Sequence, residues 1–184
     1  MSGDASCASK CACRVIEFLE SSIGKKVMVA VAGILLCGFL AAHLAGNLLM
    51  FVDGETFNEY AEVIEHNPLL PVAEVGLVVL FVLHIALAAR AWASNRAARP
   101  VGYAVFTGKG ARTPGSRTMA LTGLLVLAFV VIHVATFKFQ IGGAKGADLF
   151  AHVIAWFKNP VYAAFYVLAV AGVGLHLSHG AQSA

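Results

Sequence analysis

Val27 to Val52 reads VMVAVAGILLCGFLAAHLAGNLLMFV, a run with no Asp, Glu, Lys or Arg and a single histidine, His43. A helix rising about 1.5 Å per residue needs roughly 20 apolar residues to cross about 30 Å of hydrocarbon, and this run is long enough. Three more stretches follow it: 118–137 and 159–184 carry no charge, and 66–89 carries only Glu74. The composition agrees, with 184 residues of which 59% are hydrophobic and 12% charged, and a mean hydropathy of +0.80. A soluble domain is nearer 45–50% apolar and about 25% charged, so a cytosolic enzyme is excluded. The net charge of +3 is small and no basic stripe carries interleaved aromatics, so nucleic acid is not a partner. The expected fold is all-α, a polytopic transmembrane helical bundle. Its spans fall at about 27–52, 68–90, 118–138 and 159–180, in one membrane domain over 27–184. Residues 1–26 form a polar leader that is too long and too charged to be a cleaved signal, so it is expected to be retained.

Charge asymmetry orients the chain. Lys10, Arg14, Lys25 and Lys26 precede the first span, and Arg90, Arg96, Arg99, Lys109, Arg112 and Arg117 join the second to the third. The connection after the first span holds Asp53, Glu55, Glu59, Glu62 and Glu65 with no Lys or Arg, and the one after the third holds Lys138, Lys145, Asp148 and Lys158. Ten of the thirteen cations therefore fall on one side, which the positive-inside rule makes cytoplasmic. The expectation is a multi-pass protein of a prokaryotic cytoplasmic membrane with its N-terminus inside. Asn67-Pro68 and Asn159-Pro160 read as helix starts on the outer side, and Ser116 or Thr118 as the start of the third span. Arg99-Pro100 and Thr113-Pro114-Gly115 read as turns. Phe57 to Glu65 predicts a short interfacial helix with Phe57, Tyr60, Ala61 and Ile64 on one face. No internal repeat or low-complexity segment is evident.

Each span carries one histidine in its apolar interior: His43, His84, His133 and His176. Ionisable residues inside a membrane are rare and usually functional, although a lone histidine can simply hydrogen-bond a neighbouring helix. Depth separates the two readings. His43 and His133 lie about 25 and 24 Å from the inner boundary, whereas His84 lies about 9 Å from it and His176 sits similarly low. The four thus form an outer pair, His43 with His133, and an inner pair, His84 with His176. Paired imidazoles from different helices suit clamping a haem iron from both faces, which leaves no open position and makes the metal an electron carrier. A structural zinc site would want four ligands at one level. Gly46, Gly172 and Gly180 lie near the ligand faces and would let a flat macrocycle approach, although glycine also serves plain helix packing. Covalent c-type attachment is excluded because no Cys-x-x-Cys-His occurs. His179 shares the face of His176, while His66 and His152 fall in outer loops where solvated roles are expected. Cys7, Cys11, Cys13 and Cys37 fit no zinc or iron–sulfur spacing and are given no role.

Local strings then carry a resemblance. Ser21-Ser22-Ile23-Gly24-Lys25-Lys26 leads to His43-Leu44-Ala45-Gly46-Asn47-Leu48. Phe57-Asn58-Glu59-Tyr60-Ala61, Ala98-Arg99-Pro100-Val101-Gly102-Tyr103 and Ser116-Arg117-Thr118-Met119 follow, and the end reads His176-Leu177-Ser178-His179-Gly180-Ala181-Gln182-Ser183. In order and spacing, from about Ser21 to Ala184, they resemble the di-haem cytochrome b anchor of succinate:quinone oxidoreductases (succinate dehydrogenases and quinol:fumarate reductases). The resemblance implies an electron-transfer and quinone-reactive subunit of an enzyme complex, with dicarboxylate chemistry on a partner. The implied partners are a flavoprotein with covalent FAD and an iron–sulfur subunit, together with membrane lipid and quinone, and the whole complex could dimerise. The implied cofactors are two haem b groups, ligated by His43 and His133 and by His84 and His176. Quinone, by resemblance menaquinone, is handled near the outer haem, where Asn47, Glu62, Glu65 and His66 are available. Glu65, just before the second span, is the expected proton-transferring residue. The competing readings are a cytochrome b anchor of a hydrogenase or formate dehydrogenase, and a non-redox structural anchor or transporter. The family carries a fifth span just beyond the His-x-x-His-Gly string, so the expectation is a chain truncated at Ala184 or a bundle closed by a neighbour.

Overall fold

The computed structural model describes residues 13–14, 17–97, 114–142 and 148–183. Lys10, Arg99, Lys109, Arg112, Lys145, Cys7, Cys11 and the turn at Arg99-Pro100 lie outside the described residues. The chain is all-α among the described residues. In order come α1 (Ser22–Asn47), α2 (Gly54–Glu65), α3 (Leu70–Ala97), α4 (Pro114–His133), α5 (Leu149–Phe157) and α6 (Pro160–Ser183). Four segments are long and apolar enough to cross a membrane: Ile23–Phe51, Leu70–Ala97, Thr118–Lys138 and Pro160–Ala181. Their surfaces fit a lipid solvent. Large apolar side chains stay outward, with Val72 70% and Val167 70% exposed, while the buried positions include the small Ala32 and Ala169. That inversion is expected where lipid tails are as apolar as leucine and helices meet through small residues.

The helix ends show local causes. Ser21 caps α1, its hydroxyl accepting from the Gly24 amide at 2.9 Å and donating to the Phe18 carbonyl at 2.6 Å. The chain bends so tightly there that a Cβ at Gly24 would lie 1.9 Å from the Phe18 carbonyl oxygen, leaving room only for hydrogen. At its other end α1 tightens into a 3₁₀ turn, Leu48–Phe51. Asp53 then caps α2 by accepting from the Thr56 amide at 2.7 Å. The Thr56 amide and hydroxyl hold the Asp53 carboxyl below the usual carboxylate range. Asn159 accepts from the Val161 and Tyr162 amides at 2.9 and 3.3 Å, so Asn159-Pro160 starts α6 as its sequence suggests. Asn67-Pro68 behaves differently: Asn67 accepts from the Leu69 amide at 2.9 Å and α3 begins only at Leu70. The third membrane-crossing stretch begins at Thr118, one of its two expected starts, but its helix already begins at Pro114, so Pro114 and Gly115 belong to the first helical turn rather than to a free turn.

Two compact units divide the chain, the first taking α1 up to Leu40 with α3 from Pro71, the second Ala41–Leu70 with the chain from α4 to Ser183. In the first, Gly33 of α1 faces His84 of α3, and Ala32 and Leu87 are buried. In the second, α4 packs on α6, and α2 packs on α5. The α2–α5 contact is polar at its edge: Asn58 donates to Asp148 and accepts from the Phe150 amide at 3.0 Å. Beside it Phe57 is buried with its ring centroid 6.4 Å from that of Phe150.

The element order also corrects the absence of a repeat. A long helix with Gly-x9-His, an aspartate-capped short helix, Asn-Pro-x15-His and a second long helix occur twice. Gly33, His43, Asp53, Pro68 and His84 in the first copy answer to Gly123, His133, Asp148, Pro160 and His176 in the second. Few other identities accompany these positions, because any apolar residue satisfies a lipid-facing site.

Candidate functional site

His43 lies one turn before the end of α1 and His133 is the last residue of α4. The structure brings these two predicted partners together, with ring centroids 5.6 Å apart in an edge-to-face arrangement. His133 is half-buried, flanked by Phe129 at 5.7 Å and Phe137 at 5.4 Å, and its Nδ1 is hydrogen-bonded to the Tyr166 hydroxyl. The backbone immediately beyond it widens into a π-turn, Val134–Lys138.

His84 and His176 belong one to each unit, and each sits over a glycine of the preceding span. A Cβ on Gly33 would stand 3.5 Å from His84 Cε1, and one on Gly123 would stand 3.4 Å from His176 Cε1. Thr122 adds a hydroxyl to His176. Its Oγ1 donates to the Met119 carbonyl at 3.1 Å, which leaves it to accept from His176 Nδ1 at 3.3 Å. That assignment places the imidazole proton on Nδ1 and the free lone pair on Nε2. His179, one turn on, is half-buried.

Of the three glycines expected to admit a macrocycle, Gly46 and Gly172 stand against side chains, while a Cβ on Gly180 would meet nothing within 4 Å. A Cβ on Gly46 would stand 2.6 Å from the Tyr60 ring, and one on Gly172 would stand 2.6 Å from a Leu125 methyl. Those glycines serve helix contacts, while Gly33 and Gly123 face the histidines. Sequence spacing alone could not separate the two uses, since both place glycine within a turn or two of the relevant face.

Asn47, Glu62, Glu65 and His66 lie where α1 ends and along the last turns of α2. The Asn47 amide donates to the His43 carbonyl at 2.7 Å. His66 Nδ1 donates to the Glu62 carbonyl at 2.9 Å, and Glu62, Glu65 and His66 are exposed. His152 departs from its expected solvated loop. It is 5% exposed within α5, and its Nε2 donates to the Thr136 carbonyl at 3.0 Å. The π-turn leaves that carbonyl near a helix end, where it needs a partner from outside the helix.

Sequence reading missed an aromatic cluster on this side of the molecule. Tyr166 packs 4.7 Å from Phe157 and 4.9 Å from Phe129, and Tyr162 packs 4.8 Å from Trp156 and 5.5 Å from Tyr166. The Tyr162 hydroxyl is buried with no hydrogen-bond partner among the described residues. A signal existed: Tyr166 lies six residues past Pro160 and His133 five before Lys138, about 9 and 7.5 Å from the same boundary.

Among the described residues no three His, Cys, Asp or Glu side chains gather as a closed metal site would require. Residues 95–184 match a family model described as the succinate dehydrogenase/fumarate reductase transmembrane subunit. The match takes in α4, α5 and α6 with His133 and His176, just under half of the chain. No curated protein and no solved structure matches.

Proposed function

We propose that this chain is the di-haem cytochrome b membrane anchor of a succinate dehydrogenase or fumarate reductase complex, carrying electrons between an iron–sulfur subunit and quinone. The observation that carries the reading is the meeting of His43 and His133 from two different helices, the second of them inside the stretch that matches the family model.

The donor chemistry fits b-type haem. Imidazole nitrogens bind a metal at about 2 Å, so two of them clamping one iron stand about 4 Å apart, close to what rings with centroids 5.6 Å apart can reach. At both His133 and His176 a hydroxyl engages Nδ1 and leaves Nε2 for a metal, the arrangement that usually orients ligating histidines. His43 with His133, and His84 with His176, are the proposed ligand pairs. Bound there, haem would supply one-electron transfer. The protein's own part is to fix the rings, keep water out with lipid-facing apolar helices, and present cations at the opposite end for an iron–sulfur partner.

Quinone is assigned to the side bearing α2 and α5. Asn47, Glu62, Glu65 and His66 stand there as polar groups, and the buried Tyr162 hydroxyl offers a hydrogen bond within an aromatic enclosure. Glu65 is the proposed proton-transferring group, and His66, whose Nδ1 is committed to a carbonyl, keeps Nε2 available for a proton. Menaquinone is the favoured quinone, by the family resemblance. The N-terminus is placed in the cytoplasm of a prokaryote, by the cation asymmetry.

A reduced-minus-oxidised spectrum of the purified complex tests this reading. Two b-type α-bands, together with a co-purifying subunit that carries covalent FAD, are expected. No b-type band would leave a plain anchor, and a molybdenum or nickel subunit would assign the chain to another oxidoreductase.

A further inference from the structure

The Tyr166 hydroxyl meets Nδ1 of the His133 imidazole. The Tyr166 ring is held from several sides: Phe157 at 4.7 Å, Phe129 at 4.9 Å edge-on, Tyr162 at 5.5 Å and Phe137 at 6.3 Å. A phenol so enclosed cannot swing away without opening the α4–α6 contact. His133 in turn is confined between Phe129 and Phe137, on the backbone where α4 passes into its π-turn. Two constraints, one on each ring, therefore converge on a single hydrogen bond.

We propose that Tyr166 is a positioning residue for the haem ligand His133: its oxygen accepts the Nδ1 proton, turns Nε2 toward the iron and lowers the reduction potential of that site. This rests on the reading of His43 and His133 as a ligand pair. An acceptor on Nδ1–H makes the imidazole a stronger electron donor, which favours the oxidised metal. His176, a proposed ligand of the inner pair, is served by an aliphatic hydroxyl, that of Thr122 at 3.3 Å, which also donates to its own helix. The two haem levels thus receive different acceptors, and the chain carries a means of setting their potentials apart. The sequence places Tyr166 at the depth of His133, but the hydrogen bond itself depends on which helix stands opposite.

Redox titration of the purified complex, followed by reduced-minus-oxidised absorbance, tests the proposal with Tyr166→Phe and Tyr166→Gln. Tyr166→Phe keeps the ring packing and removes the acceptor. Both haems should remain, and one midpoint should rise by about three- to tenfold in its redox equilibrium, which is about 28 to 59 mV for one electron. The other midpoint should not move. Tyr166→Gln restores an acceptor and should bring the shifted midpoint back toward its starting value. Unchanged midpoints in a Tyr166→Phe complex that retains both haems would overturn the proposal. Should Tyr166→Phe lose a haem, its recovery in Tyr166→Gln would support the role, and loss in both variants would reduce Tyr166 to a packing residue. A wild-type complex without b-type absorbance fails the ligand reading itself, and is told apart from these outcomes before any variant is made.

Discussion

At the residue scale the chemistry depends on which nitrogen or oxygen each side chain has left after its local bonds are made. Thr122 spends its proton on the Met119 carbonyl, so it can only accept from His176. His152 spends Nε2–H on Thr136 and is withdrawn from solvent chemistry. Glu65 is exposed at the end of α2 and is the last carboxylate before the start of the second span. Replacing Glu65 with Gln keeps the shape and removes the proton acceptor. General acid–base groups contribute about 10²–10⁴-fold, and an exposed one falls at the low end. Quinone turnover should therefore drop at least about tenfold with both haem bands intact, measured with menaquinol and ubiquinone analogues. Unaltered turnover would remove Glu65 from the proton path.

The element scale is where the short helices matter. Each follows an aspartate that accepts from the first turn: Asp53 from Thr56, and Asp148 from the Phe150 and Ala151 amides at 2.8 and 3.4 Å. Asp148 also receives the Asn58 amide, so one carboxylate both starts α5 and ties it to α2. Asp148→Ala should cost about 1–2 kcal/mol. Hydrogen exchange at the Phe150 and Ala151 amides should accelerate roughly 5- to 30-fold, whereas Asp148→Asn, which can still cap, should stay near wild type. Equal exchange in the alanine variant would mean that α5 is held by its apolar face alone. That face is substantial, since Phe150 packs on Phe57, and a Cβ at Gly54 would lie 2.8 Å from the Phe150 ring.

For the whole molecule, charge and hydropathy dominate. Four apolar helices make it a multi-pass membrane protein, and its second half, 95–184, is similar to the succinate dehydrogenase/fumarate reductase transmembrane subunit. The acidic segment around α2 and the cation-rich segments at the other helix ends are expected on opposite faces of the membrane. In a chain whose native cysteines are replaced by serine, Glu55→Cys should react with an impermeant thiol reagent in intact cells. Arg14→Cys should react only after lysis. The reverse pattern would invert the topology, and with it the side assigned to the iron–sulfur partner.

The number of spans and their approximate places were legible in the linear order of residues. Transfer of apolar side chains to lipid depends on composition over some 20 positions and hardly on neighbours in space. Helix starts were legible only in part, because Asn159-Pro160 caps its helix directly while Asn67-Pro68 folds into a turn first. The repeated Gly-x9-His and Asn-Pro-x15-His spacings were also present in the sequence, hidden by the interchangeability of apolar residues between them. What only the tertiary structure decided was the set of partners: Tyr166 on His133, Thr122 on His176, His152 on Thr136, and Gly33 and Gly123 beneath the inner histidines. A hydrogen bond or a close ring contact reaches only 3 to 6 Å. Its existence therefore depends on the rotation of one helix against another, which burial of apolar surface leaves almost free when every face of the helix is apolar.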